Sequence, residues 1–346
     1  MIDTPESAGF ASRHLSAIGN AVRNGTLRNL HGVVVVRHDR LVFEQYFTGR
    51  DERLGAPLGE VQFGPDALHD VRSVTKSVVS LLYGIASHDG CVGSVERPLL
   101  DAFPEYPDLQ ADPGRIKILV KHALTMTMGT DWDESLPYSD PRNGERRMDD
   151  APDRYRFVLE RPLVAPPGER WNYSGGATAV IAKLVSRGAA RPLLDYAKER
   201  LFAPLGIERF EWVSDQVGEP SAAAGLRLRP RDLAKIGQLV LNRGRWGEHE
   251  VVPDTWLRES VEPRANVDAV VRYGYFWWLA SSGVGDASTP WIGAFGNGGQ
   301  RLFVLPELEL IVVVTAGNYN QPENWRTPTA VLTQFVLPAL AAGPRE

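Results

Sequence analysis

Two β-hairpin patterns at opposite ends of this 346-residue chain constrain its fold more than any other feature. Residues 32–47 (GVVVVRHDRLVFEQYF) are two β-branched and aromatic runs on either side of a polar His-Asp-Arg turn. Residues 300–317 (QRLFVLPELELIVVVTAG) repeat this pattern around a Pro-Glu turn. We expect the four strands to share one antiparallel sheet. Residues 327–343 are apolar at helical spacing and are predicted to cover that sheet as a last helix.

The middle of the chain has a different pattern, because helical periodicity prevails from about residue 74 to about residue 240. Proline- and glycine-rich links separate the apolar segments there. Helices are predicted over residues 73–88, 117–126, 151–160, 176–188, 192–202 and 230–243.

These patterns predict an α/β (α+β) fold, in which helices flank an antiparallel sheet and an all-α lobe is inserted. The α/β lobe comprises about residues 1–70 and 245–346, and the helical lobe comprises about residues 74–240. A chain of this length can bury a large core across two such lobes. We expect residues 1–346 to form a single domain.

Composition narrows the choice of partners. The net charge of −5 provides no basic surface for nucleic acid or an anionic membrane, so small molecules or proteins are the expected partners. Cys91 is the only cysteine, which excludes an internal disulfide and a cysteine-based zinc cluster. The first 25 residues do not show the basic segment followed by an apolar core that is typical of a signal peptide, and no apolar stretch approaches transmembrane length. We therefore predict a cytoplasmic protein, either a monomer or a homodimer.

Residues 71–90 (VRSVTKSVVSLLYGIASHDG) are an apolar run that carries Lys76 and, three positions earlier, Ser73. In a helix these two side chains lie on one face, and the amino terminus of the helix favours negative charge at Ser73. Apolar surroundings are expected to drive Lys76 toward the neutral amine, which can accept a hydroxyl proton. The alternative is structural: Ser73 caps the helix and Lys76 extends its ammonium to solvent.

Two glycine-rich segments provide further candidates. Tyr173 lies in residues 167–176 (PGERWNYSGG), a tight loop that can hold a phenol beside an amine and a serine. The alternative is a tyrosine that only packs. Residues 294–300 (AFGNGGQ) precede a predicted strand, and glycines there leave backbone N–H groups available to an oxyanion. The alternative is a simple bulge or turn that enters the strand.

The order and spacing of these segments resemble the serine β-lactamase and penicillin-binding (DD-peptidase) superfamily. Within it, the sequence is most similar to class C-type esterases and 6-aminohexanoate-dimer hydrolases. The similarity extends from about residue 30 to the carboxyl terminus and implies a β-lactamase/transpeptidase-like fold. The stretches that carry it are RSVTKSVVSLLYGIA, IKILVKHALTMTMGTDWDE, PPGERWNYSGG, LFAPLGI, RPRDLAKIGQLVLNRGRW, YGYFWW and GAFGNGGQRLFVLP.

This resemblance implies roles for the residues that match the family's motifs. Ser73 matches the nucleophile, Lys76 the base, and Tyr173 the tyrosine of the Tyr-x-Asn element. The third element, Lys/His-x-Gly, aligns on residues 294–296. Asn297, which follows it, would supply the second oxyanion N–H beside that of Ser73.

Two positions depart from the family pattern. Gly175 stands where β-lactamases and peptidases usually have asparagine, so a side-chain amide that holds the substrate is missing. Ala294 stands where lysine or histidine is usual, so a partner for a substrate carboxylate is missing. Both losses argue against an efficient β-lactamase or DD-peptidase and favour the branch of esterases and oligomer hydrolases.

The acyl pocket is predicted from aromatic and glycine residues. Small-molecule sites are mostly apolar clefts, and the segments DWDESLPY and YGYFWW are rich in aromatic side chains. Core packing is the alternative use of such residues. The charged run over residues 140–150 (DPRNGERRMDD) is interpreted as a solvated loop, and a mobile rim over the cleft is the alternative. The predicted substrate contacts are Tyr138, Trp132, Trp278, Gly296 and Gly298.

The sequence therefore predicts a serine hydrolase that cleaves an ester or amide bond of a small molecule through an acyl-enzyme on Ser73. Neither a metal nor an organic cofactor is expected. Three alternatives remain open: an acyltransferase that uses the same site, a β-lactamase or DD-peptidase, and a non-enzymatic relative that binds a ligand.

Overall fold

The structure is a computed structural model that describes residues 3–214, 218–284 and 287–342. Its α-helices are α1 (Ser12–Arg23), α2 (Val74–His88), α3 (Pro107–Gln110), α4 (Val120–Leu124), α5 (Gly144–Asp149), α6 (Arg154–Leu159), α7 (Gly175–Gly188), α8 (Leu193–Ala197), α9 (Pro230–Leu241), α10 (Asp254–Ser260), α11 (Arg326–Ala330) and α12 (Leu337–Ala341). Short 3-10 segments cover Glu6–Ala8, Leu99–Ala102, Arg115–Lys117 and Pro306–Leu308, and π-helical turns cover Lys198–Phe202 and Val331–Val336.

The β-strands lie mainly in the two terminal parts of the chain. They are β1 (Leu30–Arg37), β2 (Arg40–Tyr46), β3 (Thr48–Arg53), β4 (Ala56–Gln62), β5 (His69–Asp70), β6 (Phe210–Trp212), β7 (Leu226–Leu228), β8 (Arg245–Trp246), β9 (His249–Glu250), β10 (Ala265–Asn266), β11 (Arg272–Tyr273), β12 (Trp278–Val284), β13 (Ala287–Gly296), β14 (Gln300–Leu305) and β15 (Leu310–Ala316).

Eight strands form one antiparallel sheet in the order β10-β11-β12-β13-β14-β15-β1-β2. The two hairpins predicted from the sequence are therefore neighbours, because β15 pairs with β1 and sets Val34 opposite Val313. His38 and Asp39 both have positive φ in the first hairpin turn, and turns of that kind match the natural twist of two strands. The prediction that both hairpins share one sheet is confirmed.

The two faces of the sheet are covered by different helices because side chains alternate along each strand. Val33 and Val35 point to the face covered by α1 and the C-terminal helical segments, in one core cluster. Val34 and Val313 belong to the second and larger cluster, which includes buried residues of α2, α7 and α9. The helix predicted for the C-terminal residues is present, although it begins at Arg326 and passes through a π-helical turn.

The helices predicted for the middle of the chain are all present; most are shorter than predicted, whereas α7 begins one residue earlier, at Gly175. Helix α2 is buried from Val74 to Ala86, and it contacts α7, α10 and strand β13. The sequence patterns missed short elements such as β6 and β7, which form a three-stranded sheet with β5 in the order β5-β7-β6. A strand of two or three residues is too short to show periodicity. Among the described residues, no helix combines the length and the apolar character needed to cross a membrane.

A glycine on α2 gives a first testable prediction. A Cβ at Gly84 would overlap the indole ring of Trp256 on α10, so Gly84→Ala forces that ring to move. Overpacking costs about 1–3 kcal/mol, and an overlap with a rigid ring lies at the upper end of this range. The cost therefore exceeds the roughly 1 kcal/mol that alanine gains in helix propensity. We expect urea denaturation to show a lower free energy of unfolding.

Gly64 provides the matched control, because a Cβ there would have no atom within 4 Å. Gly64→Ala should leave the free energy of unfolding unchanged within about 0.5 kcal/mol or raise it slightly. Equal free energies of unfolding for the two variants would contradict the packing of α2 on Trp256.

Candidate active site

Ser73 and Lys76 meet at the amino-terminal end of α2. Ser73 is the residue before the first turn, and its side chain makes no capping hydrogen bond. Lys76 is 1% exposed, and its Nζ donates to Ser73 Oγ at 3.0 Å and to the carbonyl oxygen of Ala223 at 2.9 Å. Both structural alternatives are therefore wrong, since Ser73 does not cap the helix and Lys76 does not reach solvent.

Tyr173 lies directly before α7 and faces the same two residues. Its ring centroid is 4.9 Å from Lys76 Nζ, and its hydroxyl lies within interaction range of both Ser73 and Lys76. Two local interactions fix this position: Asn172 Nδ2 donates to the carbonyl oxygen of Trp132 at 2.8 Å, and Ser174 caps α7. The three residues predicted to be catalytic thus form one contiguous cluster.

The charge state of Lys76 differs from the sequence prediction. Burial by itself lowers the pKa of Lys76, but the nearby charges of Tyr173, Glu145 and Glu134 together raise that pKa above its ordinary value. The direction of this shift favours the ammonium form of Lys76 and contradicts the predicted neutral amine. The apolar pattern of the helix describes only the side chains of that helix. It could not predict the carboxylates, which come from other segments of the chain.

Glu145 is a buried carboxyl that the sequence analysis missed. It lies in the first turn of α5, where the side chain of Asn143 accepts from the backbone N–H of Glu145 at 2.9 Å. Glu145 is 6% exposed, and its Oε2 lies 3.8 Å from Lys76 Nζ. Burial raises the pKa of Glu145 to about 8, although the charge of Lys76 opposes the shift.

The interpretation of residues 140–150 as a solvated loop is therefore wrong for their central part. Asn143, Glu145 and Met148 are buried there. The signal that could have found this helix is the sequence Asn-Gly-Glu, because asparagine is a strong N-cap and glutamate suits a first helical turn.

A second carboxylate, Glu134, organises the loop beside Tyr173. It accepts hydrogen bonds from Trp132 Nε1 at 2.6 Å, from the Tyr138 hydroxyl at 3.0 Å and from the backbone N–H of Gly175. Its two oxygens thus join the loop to the beginning of α7. Glu134 was not predicted, because a carboxylate in a polar segment has no distinctive pattern.

The glycine-rich segment at the end of β13 approaches the residues before Ser73. A Cβ at Gly296 would overlap the carbonyl oxygen of Val71, so only glycine permits this approach. Asn297 is held by Asn320, because its Nδ2 donates to Asn320 Oδ1 at 2.9 Å and its Oδ1 accepts from the Asn320 N–H at 2.9 Å. Among the described residues, the N–H groups of Ser73 and Asn297 donate to no backbone acceptor.

A cavity of about 490 Å³ opens above Ser73. Tyr138 and Asn297 line it, as does Arg72, whose backbone is left-handed with φ of 51°. Arg72 is held in that strained conformation by an ion pair with Glu52. The wall therefore contains polar and charged groups, unlike the apolar aromatic cleft that the sequence predicts.

Four of the predicted substrate contacts lie away from this cavity wall. Trp132 is 6% exposed and packs its ring 6.2 Å from that of Phe157. Trp278 lies behind the site, where its ring is 5.8 Å from that of Tyr173. Gly296 and Gly298 shape the turn between β13 and β14 and are not among the lining residues. Of the five predicted contacts, only Tyr138 is among the residues that line this cavity.

One group of side chains has a composition suited to a metal. His31, Asp51 and His69 are buried and offer ligand atoms within 4.8 Å of one another. However, His69 Nδ1 donates to the carbonyl oxygen of Asp70 at 2.9 Å, so its Nε2 accepts from His31 Nδ1 at 2.9 Å. The Tyr319 hydroxyl donates to Asp51 Oδ1 at 2.7 Å. We interpret the group as a hydrogen-bonded network that supports the segment before Ser73.

Comparisons with known proteins agree on the architecture. A family model described as Beta-lactamase matches residues 24–332. A 6-aminohexanoate-dimer hydrolase from Paenarthrobacter ureafaciens is 26% identical over 275 residues, which are 72% of this chain and 66% of that protein. A lovastatin esterase from Penicillium rubens is 27% identical over 208 residues, which are 54% of this chain and 50% of that protein.

A solved structure extends the agreement. EstCE1, described as a hydrolase with promiscuous acyltransferase activity, has a TM-score of 0.71 and 16% identity, and the match covers 94% of this chain and 99% of that chain. This likeness shows the fold, and the fold class predicted from the sequence is confirmed. The chain spans less than two thirds of the length of the two curated relatives.

The histidine network generates a prediction about acid stability. Burial, followed by the charge of His69, lowers the pKa of His31 to about 3, and burial also lowers the pKa of His69. In the unfolded chain histidine has a pKa of about 6.5, so between about pH 6.5 and about pH 3 the unfolded state binds more protons. Folding stability is therefore fully present above pH 6.5 and falls as the pH drops through that window.

The thermal midpoint of the wild type should decrease from pH 7 to pH 5 more steeply than that of His31→Gln. The slope is the measurement, since the substitution also changes packing. His88→Gln, at an exposed position, should keep the wild-type slope. The same slope in all three proteins would contradict a neutral buried His31.

Proposed function

Because this chain belongs to the beta-lactamase family, we propose that it is a serine hydrolase that forms an acyl-enzyme on Ser73. Its substrates are small molecules with an ester or amide bond. The observation that carries the proposal is the hydrogen bond of 3.0 Å between Lys76 Nζ and Ser73 Oγ in a buried cluster that also contains Tyr173. A nucleophile within hydrogen-bond reach of a base is the arrangement that acyl transfer requires.

The base in this proposal is the pair of Lys76 and Tyr173 rather than a neutral Lys76 alone. Burial raises the pKa of Tyr173, while the charge of Lys76 and the hydrogen bond with Ser73 lower it. Strongly interacting groups titrate as a pair, and the form that has lost one proton accepts the proton of Ser73. The pair then returns this proton to the leaving group and later activates the water that releases the acyl group.

The oxyanion is assigned to the backbone N–H groups of Ser73 and Asn297. The amino terminus of α2 adds the favourable field of a helix dipole at Ser73. Asn297 is suited to this task because its side chain is bonded to Asn320, which restricts movement of its backbone. Preorganised donors of this kind supply a large part of catalysis in acyl transfer.

The substrate class follows from two departures and from the relatives. Gly175 provides no side-chain amide. Position 294 is a fully buried alanine, so no lysine or histidine side chain is available there to bind a carboxylate. A 6-aminohexanoate-dimer hydrolase and a lovastatin esterase, both similar to this chain, are named for hydrolysis of other bonds than a β-lactam. These observations favour esters and linear amides.

A second candidate function is acyl transfer to an alcohol or amine. It uses the same acyl-enzyme and differs only in the acceptor that attacks it. The fold likeness to EstCE1, a hydrolase with promiscuous acyltransferase activity, favours this candidate. An acylated product formed when an alcohol is added during ester hydrolysis would identify it.

Ser73→Ala should reduce hydrolysis of p-nitrophenyl butyrate by at least about 10³-fold, because the acyl-enzyme cannot form. The fold should survive, since the hydroxyl occupies little volume and caps no helix. Intact mass after treatment with a fluorophosphonate should show one adduct on the wild type and none on Ser73→Ala. Unchanged hydrolysis by this variant would sink the proposal.

Lys76→Met should lower kcat by about 10²–10⁴-fold, the usual contribution of a positioned acid-base group. Lys121→Met is the control, because Lys121 is a partly exposed lysine that pairs with Glu96 at the surface. The rates of fluorophosphonate labelling and of ester hydrolysis should fall together for Lys76→Met only. Similar activity of both lysine variants would remove Lys76 from the mechanism.

A further inference from the structure

The space beside the backbone of Gly175 is filled by carboxylates from other segments. A Cβ at Gly175 would overlap Glu145 Oε2 and would lie 3.1 Å from Glu134 Oε1. A side chain at position 175 and the observed position of Glu145 therefore exclude each other. This is the position at which the family usually has asparagine.

The two carboxylates at this position have different surroundings. Both oxygens of Glu134 accept hydrogen bonds, so Glu134 is committed to the structure of its loop. Glu145 Oε2 accepts no hydrogen bond among the described residues, although it is buried. It faces Lys76 Nζ at 3.8 Å, which is beyond a normal hydrogen bond and within the range of a strong electrostatic interaction.

The position of Glu145 is fixed by its own helix. Asn143 is fully buried, its side-chain oxygen accepts from the backbone N–H groups of Glu145 and Arg146, and its Nδ2 donates to the carbonyl oxygen of Leu136 at 2.7 Å. The amino terminus of α7 at Gly175 also points its dipole toward the two carboxylates. Because this carboxyl is already held in place, little further conformational entropy is lost when Lys76 changes its charge.

We propose that Glu145 is the positioning residue for Lys76 and takes, from a different helix, the place that a side chain at position 175 has in the family. This inference rests on the proposed function. Lys76 Nζ has three hydrogens, of which two are directed to Ser73 Oγ and to the carbonyl oxygen of Ala223. Glu145 Oε2 faces the remaining side of the amine at 3.8 Å, and in its carboxylate form it keeps the amine aligned with the nucleophile.

The first test removes the ionisable carboxyl of Glu145 and preserves the shape of its side chain. Glu145→Gln should lower kcat for p-nitrophenyl butyrate by about tenfold or more, with KM changed by less than about twofold, because the residue acts on the base and not on the substrate. Glu145→Asp should recover part of kcat. Glu160→Gln, the same change at an exposed carboxylate after α6, should match the wild type. A wild-type kcat in Glu145→Gln would overturn the inference.

The second test exchanges the two positions. Gly175→Asn alone should be impaired, because its side chain overlaps Glu145, and Glu145→Ala alone should be impaired because Lys76 loses its partner. The double variant places an amide in the vacated space. Its kcat should exceed the product of the two single effects by about fivefold or more, which is the size of coupling expected for residues in contact. If the two single effects on kcat simply multiplied in the double variant, the two side chains would not compete for the same space, which would contradict the inference.

The experiment separates this inference from the proposed function. Circular dichroism and the fraction of Ser73 labelled by a fluorophosphonate count the folded active sites in each variant. A wild type that hydrolyses no ester or amide and takes no label contradicts the proposed function itself. A wild type that is active and labelled, together with Glu145 variants of equal kcat, contradicts only the role of Glu145.

Discussion

A lysine ammonium that is almost completely removed from water is the constraint on which the rest of the structure depends. Such a charge is costly to bury unless partners surround it. Lys76 meets this requirement through Ser73, the carbonyl of Ala223, the carboxyl of Glu145 and the hydroxyl of Tyr173. These partners belong to four separate segments of the chain, so the helices around α2 must come together before the charge is compensated. The same convergence that stabilises the cation builds the candidate nucleophile, base and acid.

The parts of the fold that could be predicted from the sequence are those in which residues close together along the chain determine the local structure. The two hairpins and α2 have periodic apolar side chains, and Ser73 reaches Lys76 because i and i+3 share a helix face. Tyr173 was found through its resemblance to a family motif, and the structure brings it to the same cluster. By contrast, the ionisation of Lys76 was predicted in the wrong direction, since its carboxylate neighbours lie about 60–70 residues further along the chain.

The substrate side of the site was harder to predict for a related reason. Aromatic side chains in polar segments were assigned to the acyl pocket, but Trp132 uses its indole N–H to bind Glu134 and turns its ring into the core. The wall of the cavity is instead formed by charged groups such as Glu52 and Arg72, which pair with each other. Charge runs are usually solvated surface, so a sequence provides no direct signal for the few charges that a fold turns inward.

The exchange of a side chain at position 175 for a carboxyl on α5 changes what can control the base. An amide on the Tyr-x-Asn element is joined covalently to the loop of Tyr173, and its neutral group cannot titrate. Glu145 belongs to a short capped helix that also borders the cavity, and burial raises its pKa to about 8. In the proposed mechanism, a substrate that displaces water from this cavity would act on Glu145 and, through it, on the charge balance of Lys76. On the proposed role of Glu145, the departure at Gly175 would move part of the control of Lys76 from the tyrosine loop to the wall of the cavity.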